Sequence, residues 1–149
     1  MNIGFNSCGS APSLREWIKS DPCTASVVSS SQTFVPTGIF IDVTPSSLGV
    51  KLDIVASAIM SIASSNAGFA VALAYNGVIS SSPPANWAFF GWNRDEGYNA
   101  QVNRRGLYTS TSLAPVRVEL MFCAYDPSAT TFLANYHHYI KVREVHNAV

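Results

Sequence analysis

After residue 33, apolar and polar positions alternate along much of the chain with the two-residue period of half-buried strands. Val116, Val118, Leu120 and Phe122 give one clear example, and Asp126-Pro127-Ser128 turns the chain beyond it. Residues 50–62 satisfy two periods. Leu52, Val55, Ile59 and Ile62 fit a helical face, whereas Val50, Leu52, Ile54, Ala56, Ala58, Met60 and Ile62 fit strict alternation. With no helix cap and strands on either side, this segment is expected to be a strand. Ile39-Phe40-Ile41-Asp42-Val43, between Pro36-Thr37-Gly38 and Pro45, predicts another. Residues 68–75 predict a third, closed by Asn76-Gly77, whose residue types suit the positive φ angles of a tight hairpin turn. An aromatic strand follows at residues 87–92, a polar loop at 93–99, and closing strands at 130–134 and 136–145. Seven or eight strands without a repeat predict an all-β fold, a jelly-roll-like β-sandwich.

The first 30 residues read differently. Ser13 can cap two helical turns and Glu16 can close a capping box, before Asp21-Pro22 stops them. Leu14, Trp17 and Ile18 would then share one helical face, set among Gly9, Pro12 and the serines of residues 26–31. Residues 1–30 are therefore expected to form an N-terminal arm with one short helix, and residues 31–149 the jelly-roll domain. A helix this short gains its order from a surface. That surface is either the β body or a neighbouring chain, and the body is expected to fold without the arm.

Composition narrows the functional classes. Only 12% of the 149 residues are charged, about half the usual share, and nine Lys+Arg balance nine Asp+Glu. Nucleic acid and anionic lipid are not expected partners. No apolar stretch is long enough to span a membrane, and Met1 to Asn6 lack the basic start and apolar run of a signal peptide. Synthesis in the cytoplasm is expected. Cys8, Cys23 and Cys123 are an odd count, so no complete disulfide framework is expected; Cys123 lies in an apolar run and reads as a buried thiol.

Catalytic signatures are absent: there is no phosphate loop, HExxH, CxxC or nucleophile elbow. Glu96, Glu119 and Glu144 have no spacing that brings them together. No catalytic residue, cofactor or metal is expected. His137-His138 lie in a strand, where neighbours point to opposite faces, so one chain cannot easily turn both toward one ion. Tyr136, His137, His138 and Tyr139 are candidates for a subunit seam, because aromatic residues are enriched at interfaces. Arg104-Arg105 read as a solvated loop or subunit contact. Trp92 and Tyr98, beside the polar loop, could stack on a sugar.

Four segments, Phe40-Ile41-Asp42-Val43 with Pro45, residues 50–62, residues 68–78 and residues 139–145, resemble in order the jelly-roll head domains of bacteriophage tail fibres. Those heads are similar in architecture to the TNF and C1q folds. Where such heads follow a shaft, this chain has an arm, and in that it resembles the small trimeric jelly rolls that decorate capsids as cement proteins. The resemblance implies a homotrimer on the virion surface without a cofactor. Its partner would be the major capsid protein or another virion protein, with the arm residues Leu14, Trp17 and Ile18 docking on the capsid. The alternative it implies is a receptor-binding head that recognises host-surface carbohydrate.

Overall fold

The computed structural model describes residues 15–22, 27–62, 68–79, 87–90, 99–124, 131–133 and 137–145. Its strands are β1 (Glu16–Pro22), β2 (Val27–Ser29), β3 (Val35–Val43), β4 (Lys51–Ile62), β5 (Phe69–Tyr75), β6 (Val78–Ile79), β7 (Trp87–Phe90), β8 (Asn99–Thr109), β9 (Val116–Ala124), β10 (Thr131–Leu133) and β11 (His137–Val145). No helix occurs among the described residues. The strands form two antiparallel sheets, a β-sandwich.

Strand register shows that several short segments act as single interrupted strands. In the first sheet β8 runs along one side of β4 from Lys51 to Ser61. On the other side β11 pairs with residues 51–57 of β4 and β10 with residues 60–62. Outside them lie β1, paired with β11, and β2, paired with β10. The sheet is thus four strands wide: β8, β4, β10/β11 and β1/β2. The second sheet repeats the device, with β3, β9 and β5 in order and β6 and β7 sharing the far side of β5.

Alternation delivers one face of each strand to the space between the sheets. Leu52, Ile54, Ala56, Ala58 and Met60 of β4, with Ile140 and Val142 of β11, pack toward Val116, Val118, Leu120 and Phe122 of β9 and Phe69, Val71 and Leu73 of β5. Fully burying a side chain of this kind contributes about 1.5–3 kcal/mol. The ambiguous residues 50–62 are therefore a strand, as alternation predicts. Asn76 (φ 50°) and Gly77 (φ 79°) adopt the predicted hairpin turn, with both central residues left-handed.

The helix expected around residues 13–19 is not found among the described residues. Residues 16–22 are β1, and seven consecutive residues pair with β11. Two helical turns would leave most of their backbone groups without partners, whereas an open strand edge offers a ladder. As a consequence Trp17 packs against the core while Ile18 points outward, so the two do not share a face. Two further strands were not expected. The serine-rich stretch contains β2, and the Arg104-Arg105 region, expected as a loop, is the eleven-residue strand β8. Its alternation is hidden because the outward row includes Leu107 while the inward one includes Arg104 and Gly106.

One bulge shapes the edge of the second sheet. Between Pro36 and Phe40 the register of β3 against β9 shifts, and Gly38 there has φ 82°. The Thr37 hydroxyl donates to the Leu120 carbonyl (2.6 Å) and accepts from the Ile39 amide (3.0 Å), so a side chain replaces the ladder bonds the bulge removes.

Candidate docking end and outer sheet face

β3, β5, β8 and β11 end, and β4, β6 and β9 begin, at the same end of the sandwich, so the loops of residues 44–50, 76–77 and 110–115 gather there. They are braced. Ser110 donates its amide to Val50 and accepts from the Gly49 amide (both 2.9 Å), and its hydroxyl donates to the Ser47 carbonyl (2.7 Å). The Asn76 amide donates to the Arg117 carbonyl, and the Arg117 amide returns a bond to Asn76 Oδ1 (both 2.8 Å). Glu144, fully buried at the end of β11, accepts from the Ser46 amide (2.7 Å) and hydroxyl (2.9 Å). At this braced end sit three exposed apolar side chains: Leu48 (66% exposed) and Leu113 (56%) on loops, and Val78 (69%) at the start of β6. Exposed apolar residues on a rigid frame lose little conformational freedom when a partner covers them.

The outer face of the first sheet is of another kind. Arg105 holds Asp53 with two short bonds, Nε to Oδ1 (2.9 Å) and Nη2 to Oδ2 (3.0 Å), while Arg143 reaches Oδ2 at 3.5 Å. Lys141 pairs with Glu16 at 2.9 Å. Asp53, Val55, Tyr139, Lys141 and Arg143 line a shallow depression of about 220 Å³. Where the edge strands β1 and β3 of the two sheets meet, Phe40 lies between the Lys19 ammonium (4.5 Å) and the Arg117 guanidinium (4.1 Å), linking β1 of one sheet to β3 and β9 of the other. Arg117 also donates to both oxygens of Asp42 (2.9 and 3.1 Å), and these bonds hold the Asp42 carboxyl below its ordinary pKa.

The residues singled out in the sequence scatter. His137 and Tyr139 face outward and exposed, while His138 is half-buried on the opposite face, so the pleat divides the described residues of the expected seam. Tyr136, Leu14, Trp92, Tyr98, Glu96, Cys8 and Cys23 lie outside the described residues. Arg104 is half-buried in β8, where desolvation lowers its pKa. Cys123 is a buried free thiol whose pKa burial raises. Glu119 faces outward on β9, where it stands beside Phe40 and Ala74, and Glu144 belongs to the other sheet. Among the described residues no three His, Cys, Asp or Glu side chains gather as a metal site, and no helix is long and apolar enough to cross a membrane. Sequence reasoning missed Asp53, Lys141 and Arg143 as a group. They meet only through the pairing of β4 with β11, about ninety positions apart along the chain. The sequence matches no family model and no curated protein.

Proposed function

We propose that this chain is a non-enzymatic structural protein of a tailed-phage virion, a jelly-roll homotrimer that decorates and stabilises the capsid surface. The observation that carries the docking role is the braced end with exposed Leu48, Val78 and Leu113. The strand order supports the jelly roll. When each interrupted strand is counted once, the first sheet reads 1-8-3-6 and the second 2-7-4-5, the double Greek-key order of capsid jelly rolls. The four segments that resemble phage tail-fibre heads in sequence fall in β3, β4, β5 with its turn, and β11.

This reading moves the docking surface from the N-terminal helix to the loop end. Three such ends on one trimer would engage a repeating lattice together, and avidity would multiply modest contacts. The test uses particles that lack the protein. The purified chain should sediment as a trimer and restore particle stability to heat. Leu48→Ser combined with Leu113→Ser should keep the melting temperature yet weaken particle binding at least about tenfold. A chain that is monomeric at micromolar concentration, or a double variant that binds as well as the original, overturns the reading.

A further inference from the structure

We propose that the depression on the outer face of the first sheet binds a carboxylated sugar residue. The inference goes beyond the decoration reading and does not depend on it.

The first ground is placement. Tyr139, Lys141 and Arg143 follow one another on the outward side of β11, and cross-strand pairing sets Lys141 beside Val55 and Arg143 beside Asp53. The ladder therefore holds the lining on rigid strands rather than loops. Val55, half-buried and shorter than its neighbours, forms the floor.

The second ground is charge. Arg105 already satisfies Asp53 with two short bonds, and Glu16 already pairs with Lys141. Arg143 is the most loosely held of the three cations: it shares Asp53 with Arg105 through a single 3.5 Å contact, and its side chain is 45% exposed. Three cations against two carboxylates leave one positive charge at the rim. A guanidinium presents a planar fork that matches a carboxylate with two parallel bonds. One net positive charge suits one carboxylate and does not suit a polyanion, which needs a run of cations.

The third ground is shape. Tyr139, 37% exposed, borders the same depression and offers a flat apolar ring with a polar tip. The axial C–H face of a sugar ring packs on such a surface while its hydroxyls remain free to bond with polar groups at the rim. About 220 Å³ corresponds to about seven water volumes, room for one sugar residue. The backbone positions of Tyr139 and Arg143 are about 13 Å apart along the strand.

The experiment is an amide-shift titration of the full-length protein with glucuronic acid and N-acetylneuraminic acid, alongside glucose and acetate. A carboxylated sugar should shift Val55, Tyr139, Lys141 and Arg143 and saturate in the millimolar range. Glucose and acetate should bind at least about tenfold more weakly, because each supplies half of the contact. Arg143→Gln should lose about tenfold and Tyr139→Ala several-fold, while Tyr139→Phe retains most binding. A melt of each variant reports whether it folds. Equal binding of acetate would reduce the site to a general anion contact and overturn the proposal. So would equal binding of glucose, shifts confined to another surface, or no shift at all.

Discussion

β11 and β5 each lie inside a sheet with partners on both sides, yet they bury their side chains differently. In β11 burial alternates, with Ile140, Val142 and Glu144 inside and Tyr139 and Arg143 outside. In β5 all seven residues are buried. Phe69, Val71, Leu73 and Tyr75 face the shared core, and the opposite face, Ala70, Ala72 and Ala74, is covered as well. The outer face of the second sheet continues this with Met121 and Cys123 of β9, both buried. The same backbone ladder thus supports a wet, charged face on the first sheet and a dry patch on the second, whose outer face carries Asp42, Arg117 and Glu119 beside that patch. Alternation reports one-sided burial only, and a continuous apolar run reports burial on both sides.

The comparison can be broken most forcefully by placing a charge on each outer face. Ala72→Asp should destabilise the protein by about 3–5 kcal/mol, because the carboxylate would be buried without a partner. Ile18→Asp, opposite Lys141 on the exposed face, should change stability by less than about 1 kcal/mol. Urea unfolding measures both, and an Ala72→Asp variant as stable as the original would show that the outer face of the second sheet is open to water.

Glu144 sharpens the contrast within β11, since it is the inward position where a carboxylate replaces an apolar residue. Glu144→Ala should cost about 1–3 kcal/mol by leaving the Ser46 amide and hydroxyl without their acceptor. Glu144→Gln, which keeps one oxygen, should cost less. Equal losses for the two variants would mean that packing, rather than the bonds to Ser46, is what Glu144 supplies.

Tyr75 closes the inward row of β5 near Tyr108, with ring centroids 4.9 Å apart. Burial, with a smaller contribution from Tyr108, raises its pKa to about 12, and its buried hydroxyl has no hydrogen-bond partner among the described residues. Between the ordinary tyrosine value near 10 and about 12 the unfolded chain ionises while the folded one does not. The folded state therefore loses stability as pH rises through that window and keeps it below. Tyr75→Phe should remove this alkaline loss and leave neutral-pH stability equal or slightly higher, as unfolding curves at pH 7 and pH 11 would show. An unchanged alkaline loss in the variant would assign it to another group.

The smallest expected effect is at Asp42. Its carboxyl should titrate below the ordinary aspartate value by carbon-detected NMR, and Arg117→Gln should return it toward that value, because the Arg117 bonds are the main cause of the lowering. If Asp42 does not move in the variant, the two exposed side chains are not paired in solution.

By itself the sequence determined the class of fold and much of its inventory. Strict alternation in residues 50–62 and at Val116 to Phe122, and Asn76-Gly77 between two apolar runs, name β4, β9 and the hairpin turn, because period and turn chemistry are local properties. It also anticipated the buried Cys123 and the pleat that divides His137 from His138. Tertiary structure decided the rest. Ser13 and Glu16 are residue types that cap a helix, yet Glu16–Pro22 becomes a strand because the edge of β11 offers a ladder that a two-turn helix cannot match. β8 carries no apolar alternation on its own and exists through its eleven-residue pairing with β4. The gathering of Leu48, Val78 and Leu113 at one end, and of Asp53, Lys141 and Arg143 around Val55, depends on strand order and register. Those arise from contacts between segments far apart in the chain, which no local pattern encodes.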